Sequence, residues 1–398
     1  MSGVAAVRKV WFAALSAAVV MLAGCQASAK HEALQAAPMP TAVAPTASVD
    51  LSVTPKDGQL GVLPTDPVTV KSNDGEVTDV VVVGSSVPPV RGEISEGVWK
   101  SAPGQTLVAG GEYHVYTLVK SGDDVSSVVT TFRVLDKKHT LTTLIAPLNG
   151  EKVGVGMPVM VVFTANVADR AAVERRLSVE TSPTQVEGAW HWFNDHEVHF
   201  RPKVYWPAHS EVTVHLKLKG VDAGNGVRGM RDRTVHFTVG ASHISLVDAV
   251  KHNMVVKSDG VVVRMLKVST GRPKYPSQSG IHLVIAKSNP EIMDSATVGI
   301  PRKSPDGYYE KVPWSTRISY SGEFVHAAAW SVRDQGVRNV SHGCVNISPS
   351  EAKWFYGFSR RGDVVQIINT PKHYPHGAGF QEWTYSWDDW KAASALPS

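Results

Sequence analysis

The chain of 398 residues is short of cysteine and of charge, and it has no apolar run long enough for a permanent membrane span. Its two cysteines, Cys25 and Cys344, exclude a disulfide-built fold. Charged residues are 19% of the sequence and the formal charge is +4, of which Arg8 and Lys9 contribute two within a segment that reads as removable. The remainder is too small for electrostatic nucleic-acid binding, so no nucleic-acid partner is expected. The apolar stretch 10–22 would make a helix of about 20 Å, short of a hydrocarbon core of roughly 30 Å. Val-rich runs outnumber those rich in Leu, Ala, Glu and Lys, and 33 Gly and 24 Pro punctuate them. That pattern favours strands and turns and predicts a mostly β protein, with room for two to four domains.

Arg8 and Lys9, the apolar stretch and then Ala23-Gly24-Cys25 stand in the order of a signal peptide. Leu22-Ala23-Gly24-Cys25 resembles a bacterial lipoprotein box. The resemblance implies a signal peptide over residues 1–24, cleavage before Cys25 and lipidation of its sulfur, which would tie the protein to the outer face of the cell membrane. The alternative is an ordinary signal cut near Ala27-Ser28-Ala29, and on either reading the chain is exported. Residues 25–50 are dominated by Ala, Pro, Ser and Thr without an apolar period. They read as a flexible tether.

Two stretches then repeat. Pro55-Lys56-Asp57-Gly58 is followed by Gly61-Val62 and Pro67-Val68-Thr69-Val70; Pro147-Leu148-Asn149-Gly150 is followed by Gly154-Val155 and Pro158-Val159-Met160-Val161. Each unit closes on a strand-like run, Thr131-Phe132-Arg133-Val134 and Val235-His236-Phe237-Thr238-Val239. Residues 211–218 alternate polar and apolar without a break, as a half-buried strand does. Units of this size with turns between short strands predict two immunoglobulin-like β-sandwiches, over residues 51–139 and 140–240. Neither carries a catalytic constellation. His191, Asp195, His196 and His199 read as solvated histidines of a strand or turn rather than a metal site, and residues 222–226 as a simple turn.

From about residue 241 the texture changes. Residues 255–263 read as a hairpin turning at Asp259-Gly260, and residues 281–286 as a strand. Residues 288–316 are long, polar and rich in Pro and Gly, with Met293, Tyr308, Tyr309 and Trp314 interspersed, which suggests a lid. In residues 318–326 alternation puts Tyr320, Gly322, Phe324 and His326 on one strand face. If residues 340–348 are extended, His342, Cys344 and Asn346 share a face too, with Gly343 leaving the backbone approachable. Ser348-Pro349-Ser350-Glu351 is a capping box with Pro at the first helical position, so a short helix to about Phe358 follows the Cys strand, and then a final strand over 364–368.

In an exported protein a thiol with no disulfide partner reads as a nucleophile rather than as a small buried hydrophobe. Such a thiol needs a base or a cationic neighbour. His326 is the first candidate base, and His342, two residues from Cys344, is its rival or an orienting group. A zinc site from His326, His342 and Cys344 lacks a metal-ligand spacing and a fourth ligand, so no metal and no cofactor are expected.

His326, fourteen residues and then Ser341-His342-Gly343-Cys344-Val345-Asn346 resemble the signature of the L,D-transpeptidase (YkuD) family. The resemblance covers about residues 243–370, giving a β-rich catalytic domain over 241–370 and a Trp-rich extension over 371–398. Val268-Ser269-Thr270-Gly271, Ile318-Ser319-Tyr320-Ser321-Gly322 and Met293-Asp294-Ser295 with Tyr308 add to it. With the lipoprotein signal and two sandwiches, nearly the whole chain is similar to the mycobacterial-type subgroup. The resemblance implies that Cys344 attacks a donor tetrapeptide stem of peptidoglycan at its third residue, that D-alanine leaves, and that a diaminopimelate amine resolves the thioester into a 3→3 cross-link. It implies His326 as base, the N–H groups of Gly343 and Cys344 as oxyanion donors, and Tyr308, Ser321, Gly322, Asn346, Met293 and Trp330 along the substrate site. It also implies that carbapenem β-lactams acylate Cys344.

Two positions depart from the pattern. Ala327 stands where many relatives carry Ser or Gly, so the backbone carbonyl there is expected to orient the imidazole. The link Tyr275-Pro276-Ser277-Gln278-Ser279-Gly280 lacks the Thr-Pro common in relatives. The four aromatics Trp383, Tyr385, Trp387 and Trp390 are expected to pack on the catalytic domain and the second sandwich rather than to form a glycan-stacking patch. Two other functions remain open on sequence: an L,D-carboxypeptidase in which water is the acceptor, and a non-catalytic wall-binding lipoprotein.

Overall fold

The computed structural model describes residues 49–85, 87–377 and 379–397. The expected signal peptide, Cys25 and nearly all of the tether lie outside the described residues. The chain is mostly β. In the first unit a four-stranded sheet (Leu51–Thr54, Thr69–Ser72, Val98–Ser101, Gly92–Ser95) faces a five-stranded one (Gln59–Val62, Asp124–Val134, Glu112–Ser121, Glu76–Gly84, Val87–Val90). Alternation builds its core: along Glu112–Ser121, Tyr113, Val115, Thr117 and Val119 are buried between exposed or half-buried neighbours.

The second unit repeats that topology. Its sheets run Thr143–Ala146, Val159–Phe163, Glu197–Pro202, Gly188–Asn194 and Lys152–Val153, Arg233–Val239, Glu211–Leu216, Leu177–Ser182. In both units a short second strand pairs in parallel with the last. The repeated turns match in their bonds. Gly58 N–H meets the Thr131 carbonyl at 2.8 Å and Gly150 N–H the His236 carbonyl at 2.7 Å. Asp57 Oδ1 accepts from Thr131 N–H at 2.8 Å, and Asn149 Oδ1 from His236 N–H at 3.0 Å.

The third region holds a six-stranded sheet (Val261–Lys267, Asn253–Ser258, His243–Asp248, Val364–Ile368, Gln278–Leu283, Lys372–His373) and a four-stranded sheet (Ala286–Ser288, Ser315–Arg317, Phe324–Ala327, Val345–Ile347). Val247, Val256, Val284, Val325, Val345 and Val365, with Ala352 and Phe355 of the helix Pro349–Phe358, belong to one buried cluster here. Ser348 Oγ caps the helix by accepting from Glu351 N–H at 3.4 Å. The Glu351 carboxylate meets Arg264 at 3.0 Å. Asp259 and Gly260 turn the first hairpin at φ +48° and +81°.

Four sequence expectations need correcting. The 281–286 stretch is not one strand: Val284 N–H bonds the Asp363 carbonyl and Ile285 N–H the Arg317 carbonyl, so the chain crosses there between sheets. The 288–316 segment, read from its length and its Pro and Gly as a long loop forming a lid, contains a β-ribbon in which Glu291–Asp294 pairs with Tyr309–Val312. Residues 318–326 are not a continuous strand either. Ile318 N–H bonds the Glu323 carbonyl at 3.0 Å and Gly322 takes φ +96°, folding a turn whose Tyr320 is exposed. His191 and His199 are buried rather than solvated, because the C-terminal segment covers them: His191 Nδ1 lies 3.1 Å from the Trp390 carbonyl and His199 Nδ1 2.7 Å from Glu382.

That segment packs mainly on the second sandwich. Trp383 Nε1 donates to the Gly156 carbonyl at 2.8 Å and Trp390 Nε1 to the Ala189 carbonyl at 2.9 Å. The Arg201 guanidinium lies 4.6, 5.2 and 5.1 Å from the rings of Trp383, Trp387 and Trp390. On the catalytic side the Tyr374 ring lies 4.0 Å from that of His282, tilted by 35°. The core of the second sandwich continues through Leu283, Ile285, Val364 and Phe380, whereas the first sandwich has a separate core.

Candidate active site

The Cys strand and the His strand lie side by side. Val345–Ile347 pairs in parallel with Phe324–Ala327, which sets His326 opposite Asn346. Cys344 sits one residue before its strand. The two reactive side chains thereby reach one cleft of about 260 Å³, walled also by Arg272, Met293, Tyr308, Trp330, His342 and Asn346. The mechanism of convergence differs from the expected period-two face. Only residues 345–347 are strand, and Gly343 at φ +125° bends the preceding segment so that His342 and Cys344 both reach the cleft.

His326 is buried, 3% exposed, and its Nδ1 lies 2.9 Å from the Ala327 carbonyl. With Nδ1–H donating there, Nε2 carries the free lone pair. This is the orienting bond expected of the Ala327 backbone. Burial pushes His326 down to about 4, only partly opposed by that bond, so the ring is neutral. Burial also pushes the Cys344 thiol up to about 12; the backbone of Phe324 opposes this and the Glu323 carboxyl adds to it. The resting pair is therefore thiol and neutral imidazole. The thiol sulfur lies 3.6 Å from the Gly322 carbonyl.

His342 does not sit as a free base. Its Nε2 is 2.8 Å from Arg272 Nη2, and its ring lies between those of Tyr275 and Tyr308, at 5.0 and 5.1 Å. Arg272 pairs in turn with Asp306, which also receives Lys274 at 2.6 Å and the Tyr275 hydroxyl at 3.0 Å. Burial, then the Arg272 charge, pulls the His342 pKa down. It walls the cleft as an oriented, uncharged ring.

Gly343 N–H donates to Ser341 Oγ at 3.1 Å, and Ser341 Oγ–H donates to the Cys344 carbonyl at 2.7 Å. Of the two expected oxyanion donors, the Gly343 amide thus has an internal acceptor. Met293, Tyr308, Trp330 and Asn346 line the cleft, with Trp330 60% exposed. Asn346 Nδ2 is tied to Ser331 Oγ at 3.1 Å, and its buried Oδ1 has no hydrogen-bond partner among the described residues. Ser321 and Gly322, expected along the substrate site, are not among the residues that line the cleft: the Gly322 carbonyl lies 3.6 Å from the Cys344 sulfur, and Ser321 Oγ donates to Gln278 Oε1 at 3.3 Å.

Sequence reasoning missed Arg272, Glu310, Val312 and Val340 in the cleft wall, and Ser277 and Glu323 beneath it. Arg272 directly follows the quoted Val268–Gly271 motif, a usable signal. Among the described residues no group of three or more His, Cys, Asp or Glu is arranged to hold a metal ion.

Comparison with known proteins bears on this geometry. Residues 242–367 match the L,D-transpeptidase catalytic domain family (YkuD), and residues 59–222 the bacterial Ig domain family (Big_10). L,D-transpeptidase 2 of Mycobacterium tuberculosis (strain CDC 1551 / Oshkosh) is 37% identical over 98% of this chain and 96% of its own. L,D-transpeptidase 5 of M. tuberculosis (strain ATCC 25618 / H37Rv) is 31% identical over 87% of this chain and 77% of its own. The solved structure of LD transpeptidase LdtMt1 in complex with imipenem is 36% identical, with a TM-score of 0.50, over 57% of this chain and 99% of that one.

Proposed function

The chain belongs to the L,D-transpeptidase family, and from that premise we propose that it forms 3→3 cross-links in peptidoglycan through a thioester on Cys344. His326 Nε2 takes the thiol proton as Sγ adds to the carbonyl of the third residue of a donor tetrapeptide. The tetrahedral oxyanion is met by the Cys344 amide. Collapse breaks the bond to D-alanine, whose amine leaves with the proton from His326. The diaminopimelate side-chain amine of an acceptor stem then adds to the thioester, gives its proton to His326, and the thiol departs and recovers it. One peptide bond breaks and one forms.

The observation that carries this reading is the meeting of Cys344 with an Nδ1-anchored, neutral His326 in a single cleft. A neutral base beside a protonated thiol suits general-base attack. Carbapenems would enter as acylating mimics, the strained lactam carbonyl taking the place of the donor carbonyl. The sandwiches would act as spacers between a lipid-anchored Cys25 and the wall.

The test follows intact mass and products of the purified protein with a disaccharide-tetrapeptide, against Cys344→Ala. A transient adduct, and a dimer one D-alanine lighter than two monomers, are expected from the wild type only. Tripeptide without dimer would make water the acceptor and the enzyme a carboxypeptidase. No adduct with substrate or carbapenem would leave a wall-binding protein.

A further inference from the structure

Ser277 is fully buried, and its hydroxyl lies 2.6 Å from the Gly343 carbonyl oxygen. Its Oγ also accepts from Gly271 N–H at 3.0 Å, which directs the hydroxyl proton at Gly343. The Gly343 carbonyl and the Cys344 N–H belong to one planar trans peptide unit, so they point in opposite directions. Holding the carbonyl toward Ser277 therefore aims the Cys344 N–H away from the interior. That amide is the oxyanion donor left once Ser341 has taken the Gly343 N–H.

The need for such a hold comes from Gly343 itself. At φ +125°, a conformation that side-chain-bearing residues rarely adopt, it has no Cβ to bar rotation of the following peptide. Without a donor at Ser277 the buried Gly343 carbonyl would lose its partner and the unit would be free to turn. The neighbouring chain is fixed as well. Gln278 N–H donates to Glu323 Oε1 at 2.9 Å, and the Gln278 carbonyl lies 2.8 Å from His282 Nε2.

We propose that Ser277 is a positioning residue for acyl transfer: its hydrogen bond to the Gly343 carbonyl orients the Cys344 amide toward the tetrahedral oxyanion. The proposal rests on the acyl-enzyme reading above. It separates two kinds of reaction at the same sulfur. Acylation by a carbapenem passes through an oxyanion, whereas alkylation by iodoacetamide displaces iodide at a saturated carbon and forms none.

The test measures both rates at Cys344 in the wild type, Ser277→Ala and Ser277→Thr. Ser277→Ala is expected to slow carbapenem acylation about 10- to 100-fold, within the range for a lost or misaimed oxyanion donor. Its alkylation rate should stay at the wild-type value, and Ser277→Thr, which restores a hydroxyl, should recover acylation. With the tetrapeptide, the same loss should fall on kcat and not on KM. Equal slowing of acylation and alkylation would overturn the proposal by placing the effect on the thiol or the fold, as would acylation by Ser277→Ala at the wild-type rate. A wild type that alkylates but is never acylated would instead overturn the acyl-enzyme reading.

Discussion

Burial sets the charge of both reacting side chains. His326 at about 4 and Cys344 at about 12 make the resting pair uncharged, so the thiol needs its base at the moment of attack. Iodoacetamide alkylation of Cys344 should then rise steadily from about pH 6 to about pH 9, as expected of a thiol without a depressed pKa. Carbapenem acylation should stay level down the acid side and fall only as pH approaches the value of about 4 where His326 gains a proton. An alkylation plateau reached below neutral pH would show a thiolate–imidazolium pair and defeat this reading. The Cys/His pair was legible in the sequence because residue type and the spacing from His326 to the run 341–346 identify it without any knowledge of the contacts around it. Ser277 and Glu323 were not, since their partners lie 66 and 45 residues away.

The turn between Ser315–Arg317 and Phe324–Ala327 carries the nucleophile's buried support. Glu323 is 6% exposed; its Oε1 accepts from Gln278, while its Oε2 has no hydrogen-bond partner among the described residues and stands 3.9 Å from Nδ1 of His282. That gap is too long for a hydrogen bond, and burial keeps both groups neutral, Glu323 up to about 8 and His282 down to about 4. The folded chain holds the Glu323 proton more tightly than the unfolded chain does. Its share of stability is complete below the ordinary value of 4.5 and is lost as pH climbs to about 8. His282 acts in the opposite sense, losing stability only as pH falls from 6.5 toward about 4. Glu323→Gln, which cannot ionise, should therefore gain melting temperature over the wild type progressively as pH rises through the Glu323 window. A difference independent of pH would mean that the folded carboxyl is already ionised. At this scale the helix Pro349–Phe358 was legible because its cap and its Pro are local. The turn at Gly322 and the Glu291–Val312 ribbon were not, because the 318–326 alternation fits a strand equally well and the ribbon's pairs lie up to 21 residues apart.

Across the whole molecule the second sandwich and the catalytic region share buried surface, and the first sandwich does not join it. Gly154 N–H bonds the Arg361 carbonyl at 2.8 Å and Gly156 N–H the Gly362 carbonyl at 2.9 Å, while Arg361 Nε meets Glu151 at 2.8 Å. A Cβ on Gly154 would come within 2.2 Å of the Asp363 amide, so the glycine permits the close approach. The first sandwich touches the second through exposed polar contacts, Thr65 with the Met230 carbonyl at 3.3 Å and Asp66 with Lys219 at 3.4 Å. Exposed pairs of this kind contribute about 0–1 kcal/mol. Deleting residues 49–136 should leave carbapenem acylation and the melting of the remaining chain unchanged. A clear loss of either would show that the first sandwich supports the site.

The sequence by itself determined the β character, the duplicated units, the capped helix and the identity of Cys344 and His326, because strand alternation, turn residues, caps and motifs are written within a few positions of one another. Tertiary structure alone decided that Arg272 occupies His342, that Ser277 holds the Gly343 peptide, and that the tryptophans of the tail enclose Arg201. Each of those is a contact between distant parts of the chain, and its geometry exists only once the sheets have set the two partners side by side.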